Sequence, residues 1–185
     1  MIRYLSLDYI EKTVIPIIYK NYVRENNPAH DYLKEPDSMK QVEGCLERVQ
    51  WDYVQDVIPK ATQLFICINK GHYFENGNKR LALVTLLSFL LENGYGFRDN
   101  LDKAEYSELL ERIFPGFEDF DGEDDFTSIE FAYYNLTIIV ADSGKYGFTH
   151  DQLKEKVEKF LKYSTITPQE IQDYGEMYLA EHQEE

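Results

Sequence analysis

Cysteine is scarce in this sequence: the 185 residues include only 2, Cys45 and Cys67. No CxxC pair and no cluster of cysteine with histidine is present, which argues against a structural zinc site. Each cysteine lies within an apolar helical pattern, so we expect two separate, buried thiols in a reducing compartment. The first eight residues lack the apolar run of a signal peptide, and we therefore expect a cytoplasmic protein.

Positive charge is also in short supply. Lys and Arg number 19 against 34 Asp and Glu, which gives a formal net charge of -15. Because such a chain repels a phosphate backbone and an anionic lipid surface, we expect neither general nucleic-acid binding nor docking on membranes. A basic segment of a partner protein is compatible with this charge.

Long hydrophobic runs are missing as well. The most apolar stretch, residues 81–91, has roughly half the ~20 residues that a membrane-spanning helix needs. It is apolar on nearly every side, which is typical of a helix enclosed by other helices. Hydrophobic residues make up 43% of the chain and aromatic residues 15%, enough for a substantial core and too much for a disordered chain.

Apolar positions recur at helical spacing along most of the chain, which predicts an all-α fold. The predicted helices cover residues 6–24, 38–50, 52–70, 81–91, 101–113, 127–141, 150–163 and 168–181. Pro16 should kink or restart the first helix, and Pro59 should interrupt the third. A capping box from Ser38 to Gln41 should start the second helix. For residues 127–141 the β-branched content leaves a strand open as the alternative.

The predicted loops carry fewer signals. Residues 25–37 contain two prolines and several polar residues, and we expect His30 among them to be solvated. Residues 117–125 are strongly acidic, but they do not fit a calcium-binding EF-hand, because Asp124 stands where that loop needs glycine. We therefore predict an acidic surface loop there. Capping boxes at 149–152 and 167–170 predict the starts of the last two helices.

A polar stretch, GHYFENGNKR, leads straight into the apolar segment at residue 81. The first turn of a helix has unpaired N–H groups and a partial positive charge of about half a unit, so this position favours an anion. Gly77 lets the backbone approach a ligand closely, and Asn78 can donate through its amide. Lys79 and Arg80 add full charges suited to phosphate oxygens. His72, just upstream, can take a proton from an incoming hydroxyl.

The sequence of residues 72–80, HYFENGNKR, resembles the signature of the Fic/Doc family, His-x-Phe-x-Asp/Glu-Gly/Ala-Asn-Gly/Lys-Arg. The flanks are similar to the Doc (death-on-curing) branch: residues 42–50 resemble its upstream helix, and residues 86–95 resemble its typical helix ending. The resemblance covers roughly residues 5–100. It implies a Fic/Doc-like helical bundle around a central buried helix at residues 1–100, with residues 101–185 as an acidic, mainly helical C-terminal extension packed on this core.

The resemblance also implies an activity. Family members move a phosphate-containing group from a nucleotide, here ATP, to a hydroxyl of a target protein. His72 would be the general base, Gly77 and Asn78 would bind phosphate, and Lys79 and Arg80 would serve both phosphate binding and catalysis. Lysine at position 79 is the Doc-branch residue, associated with transfer of the terminal phosphate, whereas glycine there goes with AMP transfer. The resemblance further implies a toxin that acts on a protein such as a translation factor and is neutralised by a small antitoxin.

One position departs from the family pattern. Where the family usually has the acid that holds magnesium, this chain has Asn76, with an acid one place earlier at Glu75. Asparagine coordinates Mg²⁺ without contributing charge, so the affinity for the metal should fall unless Glu75 swings into the site. The alternative is therefore a catalytically degenerate Fic fold that binds a nucleotide or a partner protein. A third interpretation is an all-α domain whose basic loop merely caps a helix.

Overall fold

The computed structural model describes residues 1–22, 30–51, 53–118 and 126–181 of the chain. The fold is all-α, as the sequence predicts. The helices are α1 (Leu7–Tyr9), α2 (Ile15–Tyr22), α3 (Pro36–Trp51), α4 (Val57–Gly71), α5 (Asn78–Glu92), α6 (Lys103–Ile113), α7 (Ser128–Ala141), α8 (His150–Ser164) and α9 (Pro168–Glu181). A π-helical turn, Ile10–Val14, joins α1 to α2, and 3-10 turns lie at Tyr32–Lys34 and Ser143–Tyr146. Two short strands, β1 (Gly96–Phe97) and β2 (Thr165–Ile166), pair antiparallel.

Helix α5 is the centre of the fold. It packs against α2, α4 and α7, and Leu81, Ala82, Leu86 and Leu90 are completely buried in these contacts. The helix ends at Asn93 and Gly94, the latter with a φ of 79° that favours glycine. This confirms the central buried helix predicted from the apolar run. Because α5 is enclosed by its neighbours, the loop at its N-terminus is attached to a rigid support.

Of the two proline positions, Pro16 agrees with expectation. A π-helical turn ends at Val14 and α2 begins at Ile15, so the helix restarts with Pro16 in its first turn. The π-helical turn alters the local hydrogen-bond ladder where proline cannot donate. The interruption predicted at Pro59 is wrong. Helix α4 begins at Val57, capped by Asp56, so Pro59 lies in the first turn, where its missing N–H costs nothing.

The start of α3 also differs from expectation. The helix begins at Pro36, a favoured residue for a first helical position, so the capping box predicted at Ser38 is wrong. The Ser38 hydroxyl instead donates to the carbonyl of Tyr73 over 2.5 Å. The solvated position predicted for His30 is wrong too. Its side chain is 16% exposed, and Nε2 lies 2.8 Å from Glu35 Oε1. These contacts tie the start of α3 to the loop between α4 and α5.

The two cysteines are paired, not separate. Cys45 of α3 and Cys67 of α4 form a disulfide, with their Cα atoms 6.2 Å apart. The prediction of two independent thiols is wrong because positions 22 residues apart meet where the two helices cross. The Tyr73 hydroxyl lies 3.2 Å from Cys45 Sγ and 3.5 Å from Cys67 Sγ. The disulfide therefore borders the same loop.

Residues 127–141, for which the sequence leaves a strand as the alternative, are helical. Helix α7 packs on α4 and α5, and α8 packs on α4. Both predicted capping boxes are present, at 149–152 and at 167–170. In the acidic segment predicted to be a surface loop, residues 119–125 lie outside the described residues. None of the described helices has the length and apolar content that crossing a membrane requires.

Candidate functional site

The loop between α4 and α5 begins with an unusual backbone conformation at His72. This residue ends α4 in the left-handed region, with φ 49° and ψ 40°, and no other non-glycine residue in the described ranges has a positive φ. A side chain held in that region costs roughly 1–2 kcal/mol, which is typical of functional sites where surrounding contacts enforce it. The His72 side chain is exposed. Strained backbone and an accessible imidazole therefore coincide at the predicted general base.

Tyr73 and Phe74 fix the beginning of this loop. The Tyr73 ring lies over Gly71 so closely that a Cβ at Gly71 would come within 2.2 Å of it. Phe74 is buried, 3% exposed, and its ring meets the ring of Tyr32 edge-on at 5.0 Å. Phe74 therefore anchors the loop in the core. His72 is thus followed directly by two residues that cannot move freely.

Gly77 lies where only glycine fits. It caps α5 with a φ of 85°, and a Cβ there would stand 2.4 Å from the Tyr32 hydroxyl. That hydroxyl donates to the Gly77 carbonyl over 2.9 Å. Burial raises the pKa of Tyr32, which keeps this donor protonated. The turn that exposes the N-terminus of α5 is therefore held from behind by a buried tyrosine.

The Asn78 side chain closes the loop on itself. Its Oδ1 accepts from the Phe74 N–H at 3.0 Å, and its Nδ2 donates to the Phe74 carbonyl at 2.7 Å. The amide that the sequence offers to a phosphate is thus engaged with the backbone of the loop. Asn78 contributes to the site by shaping the loop, and its backbone N–H stands in the first turn of α5.

Asn76 and Glu75 are both exposed at the rim of the loop. Asn76 Oδ1 accepts from the N–H of Gly77 over 2.7 Å. The side-chain oxygen of Asn76, the atom that would coordinate a metal, is therefore already hydrogen-bonded. The same bond occupies the Gly77 N–H, which a phosphate could otherwise accept from. Glu75 supplies a carboxylate one residue earlier.

The two basic residues of the motif differ in their surroundings. Lys79 is exposed, whereas Arg80 is half-buried, and burial lowers the pKa of the Arg80 guanidinium while nearby Tyr134 opposes that shift. Tyr134 belongs to α7, outside the motif. A partly desolvated arginine interacts more strongly with an anion than a fully hydrated one does. Arg80 is accordingly the motif cation placed best to bind phosphate.

The end of α7 adds an acid close to the motif. The ammonium of Lys145, 2.5 Å from Asp142 Oδ2, lowers the pKa of that carboxyl, and Lys79 lowers it further. Asp142 therefore stays ionised and lies near enough to Lys79 to attract it. The adjacent Lys70, in the last turn of α4, donates to Ser143 Oγ over 2.5 Å. Helix α7 and the turn after it thus support the side of the motif loop.

These residues line one cleft with a volume of about 240 Å³. All the residues that the sequence singles out meet there: His72, Glu75, Asn76, Gly77, Asn78, Lys79 and Arg80. Three further lining residues are not predicted from the sequence, namely Asn69, Tyr134 and Ala141. Two of these come from α7, which lies outside the motif and its flanks. Asn69 lies in the last turn of α4, three residues before His72, and both line the cleft.

A second, apolar cavity of about 220 Å³ adjoins this cleft. It lies between α2, α5 and α7, and the rings of Phe126, Tyr133 and Tyr134 are part of its lining. Arg80 and Tyr134 line both cavities, whereas His72 lines the cleft alone. Ligand pockets commonly measure about 300–1,000 Å³, so either cavity alone is small, but together they reach that range.

Few side-chain atoms in the cleft could coordinate a magnesium ion. Among the described residues, no group of three or more His, Cys, Asp or Glu side chains could hold a metal. Magnesium in phosphate-transfer sites is commonly held by one or two carboxylates together with substrate phosphates and water. Glu75 is the acidic residue that lines the cleft here. The cleft therefore offers one carboxylate to a metal ion, and any further ligands would have to come from a bound phosphate and water.

Residues 6–90, a little under half of the chain, match the model of the Fic/DOC family. The matched range runs from the start of α1 almost to the end of α5 and includes the whole motif loop. Searches of curated proteins and of solved structures found no match.

Proposed function

We infer, from the Fic/DOC-family domain that residues 6–90 form, that this protein is a Fic-type transferase acting on proteins. The family generally transfers nucleotide-derived groups to proteins. We propose ATP as the donor and a hydroxyl of a target protein as the acceptor. The observation that carries this proposal is the single cleft that holds His72, the N-terminus of α5 and Arg80 together.

Each group in the cleft has a role in such a transfer. His72 takes the proton of the target hydroxyl while the oxygen attacks a phosphorus atom of the bound nucleotide. The bond from that phosphorus to its bridging oxygen breaks, and the nucleotide product leaves. Arg80 and the backbone N–H groups at the start of α5 stabilise the charge that develops on the phosphate oxygens. A magnesium ion bound with the nucleotide would neutralise part of the phosphate charge, with Glu75 as the nearby carboxylate.

We favour transfer of the terminal phosphate over transfer of AMP. Lys79 occupies the position where AMP-transferring relatives carry glycine, and this is the sequence argument. The apolar cavity supports the same choice, because its aromatic rings suit a nucleotide base and Arg80 leads from it into the cleft. With the base in that cavity, the far end of the phosphate chain points towards His72. The products would then be ADP and a phosphorylated protein.

The biological setting that we propose is a toxin paired with a small antitoxin, with a protein such as a translation factor as the target. The net charge of -15 is compatible with a basic segment in the partner that neutralises it. Partner and target both need identification by binding assays with the purified protein.

A second function rests on a specific observation at Asn76. This residue has no carboxylate, and its side-chain oxygen already accepts from Gly77. The chain would then be a Fic-fold module that binds a nucleotide or a partner protein without catalysis. Asn76→Asp distinguishes the two: an increase in magnesium-dependent ATP binding identifies position 76 as the weakened metal ligand, whereas unchanged binding removes the main support for a degenerate site.

The deciding experiment uses ATP labelled at the alpha or the gamma phosphate with a cell extract and Mg²⁺ or Mn²⁺. His72→Ala is the test variant, and His150→Ala is the matched control, because His150 is exposed on α8 and does not line the cleft. Gamma label on a protein, lost only in His72→Ala, supports the phosphate transfer proposed here. Alpha label would establish AMP transfer instead. No transfer of either label would favour the binding module.

A further inference from the structure

Asn69 is a buried amide on the wall of the cleft, and its side-chain oxygen is left without a hydrogen bond. It is 1% exposed, lies in the last turn of α4 and lines the cleft beside His72. Its Oδ1 has no hydrogen-bond partner among the residues that the structure describes. Buried amide oxygens are almost always paired, because an unpaired one forfeits the hydrogen bonds that water would make. An exception inside a candidate active site indicates a partner that arrives during function.

The orientation of this amide is determined by its surroundings. Nδ2 donates to the Thr137 carbonyl of α7 over 3.2 Å. Rotating the amide by 180° would bring Oδ1 against that carbonyl and set two acceptors against each other. The unpaired atom is therefore the oxygen, and no donor of the described residues bonds it.

His72 is the residue best placed to supply that donor. It follows Asn69 by three positions, lines the same cleft and has an exposed side chain that makes no hydrogen bond or ring contact with any described residue. A histidine that acts as a general base needs one free ring nitrogen, and the tautomer is set by an acceptor that holds the other ring N–H. The cleft thus contains an acceptor without a donor and an imidazole without an acceptor.

We propose that Asn69 is a positioning residue: its Oδ1 accepts one ring N–H of His72 when the imidazole turns into the cleft. The opposite ring nitrogen then faces the target hydroxyl and takes its proton. The proposal rests on the transferase function above and assigns a role to α7, whose Thr137 carbonyl orients Asn69. An amide suits this task because it is neutral; a carboxylate at the same place would favour the protonated imidazolium, which cannot act as a base.

The test uses three variants of the full chain. Asn69→Leu removes the acceptor. Asn69→Asp retains an acceptor but adds a negative charge and also loses the donor to the Thr137 carbonyl. Asn135→Leu is the matched control, because Asn135 is also 1% exposed and also donates to a backbone carbonyl, that of Phe131, but does not line the cleft. The readouts are the nitrogen NMR signals of the His72 ring, ATP affinity, and the rate of label transfer against pH.

In the wild-type protein with ATP bound, we expect the His72 ring to hold a single tautomer. Asn69→Leu should abolish that preference and lower the transfer rate about ten- to a hundredfold, the range found when residues that orient a functional histidine are removed. ATP affinity should stay within about twofold, because Asn69 does not bind phosphate in this scheme. Asn69→Asp should shift the rise of rate with pH upward by about one to three pH units. Asn135→Leu should change none of the three readouts.

The outcomes separate this proposal from the proposed function. If the His72 tautomer is the same in the wild type and in both Asn69 variants, the positioning role is wrong, whatever the activity. A loss of ATP affinity equal to the loss of rate would instead make Asn69 a nucleotide contact and would also overturn the proposal. If the wild type transfers no label, the transferase function fails, while the NMR comparison still decides whether Asn69 holds His72. Asn69→Asp keeps the side-chain shape and provides the test if Asn69→Leu does not fold.

Discussion

The disulfide between Cys45 and Cys67 should be a large contributor to stability, and its removal is the perturbation whose size follows most directly from the structure. The bridge closes a loop between residues 22 positions apart. The loss of unfolded-chain entropy from a loop of that length corresponds to about 3 kcal/mol at 25 °C. Domains of ordinary stability unfold at about 5–15 kcal/mol, so the bridge would supply a substantial fraction of the total.

The assay is denaturation in urea with and without a reductant, followed by circular dichroism. The wild type should lose about 3 kcal/mol of unfolding free energy on reduction, seen as a lower midpoint. The slope should increase as well, because the unfolded chain expands without the cross-link. The Cys45→Ser/Cys67→Ser double variant should resemble the reduced wild type and should not respond to the reductant, which controls for effects of the reductant itself.

The result that would refute this reasoning is a wild-type curve unaffected by the reductant, with no free thiol gained on reduction. The two cysteines would then be separate thiols, as their positions in the sequence suggest. A stability loss confined to the double variant would point to packing of the sulfur atoms against Tyr73 and not to the cross-link.

Three further predictions concern the cleft and the buried core. Gly77→Ala should lower the free energy of unfolding more than Gly116→Ala. Both glycines have a positive φ, where a side chain costs about 1–2 kcal/mol, but only the Cβ at Gly77 would meet Tyr32. Equal losses in urea denaturation would show that the contact with Tyr32 relaxes freely. Arg80→Ala should weaken ATP binding measured by calorimetry by roughly tenfold or more, the effect of losing a charged hydrogen bond, and unchanged affinity would favour a loop that only caps α5. Burial raises the pKa of Tyr106 to about 12, so the folded state retains this proton longer than the unfolded chain, and stability should fall as pH rises from about 10 to about 12. Tyr106→Phe should make that decline shallower; a decline of unchanged steepness would contradict the assignment.

Local patterns in the sequence predict most of the helices. Apolar spacing predicts helices at the positions of α4 to α8, because the apolar face of an amphipathic helix repeats every 3.6 residues wherever the helix packs. The boundaries near proline are less predictable. Pro36 and Pro59 fit the first turn of a helix as well as they break its interior, and only the position of the neighbouring cap distinguishes the two cases.

The sequence predicts which residues of the motif line the cleft, but not which atoms their side chains contact. The sequence identifies His72 and Arg80 from their places before and at the start of a buried helix, and both line the cleft. It also suggests that the Asn78 amide faces a phosphate, whereas the structure shows that amide bonded to the Phe74 backbone. A side chain with both donor and acceptor satisfies several roles equally well in sequence, and the loop conformation selects among them.

By itself the sequence determines that this protein is all-α, that an apolar helix lies at its centre, and that a phosphate-type motif stands at the N-terminus of that helix. These conclusions depend on residues close together in the chain. Tertiary structure alone decides that Cys45 meets Cys67, that Tyr134 of α7 joins the cleft, and that Asn69 is left with an unpaired oxygen beside His72. Each of these results from helices packing across a long separation in sequence, and no local periodicity records which residues such packing brings into contact.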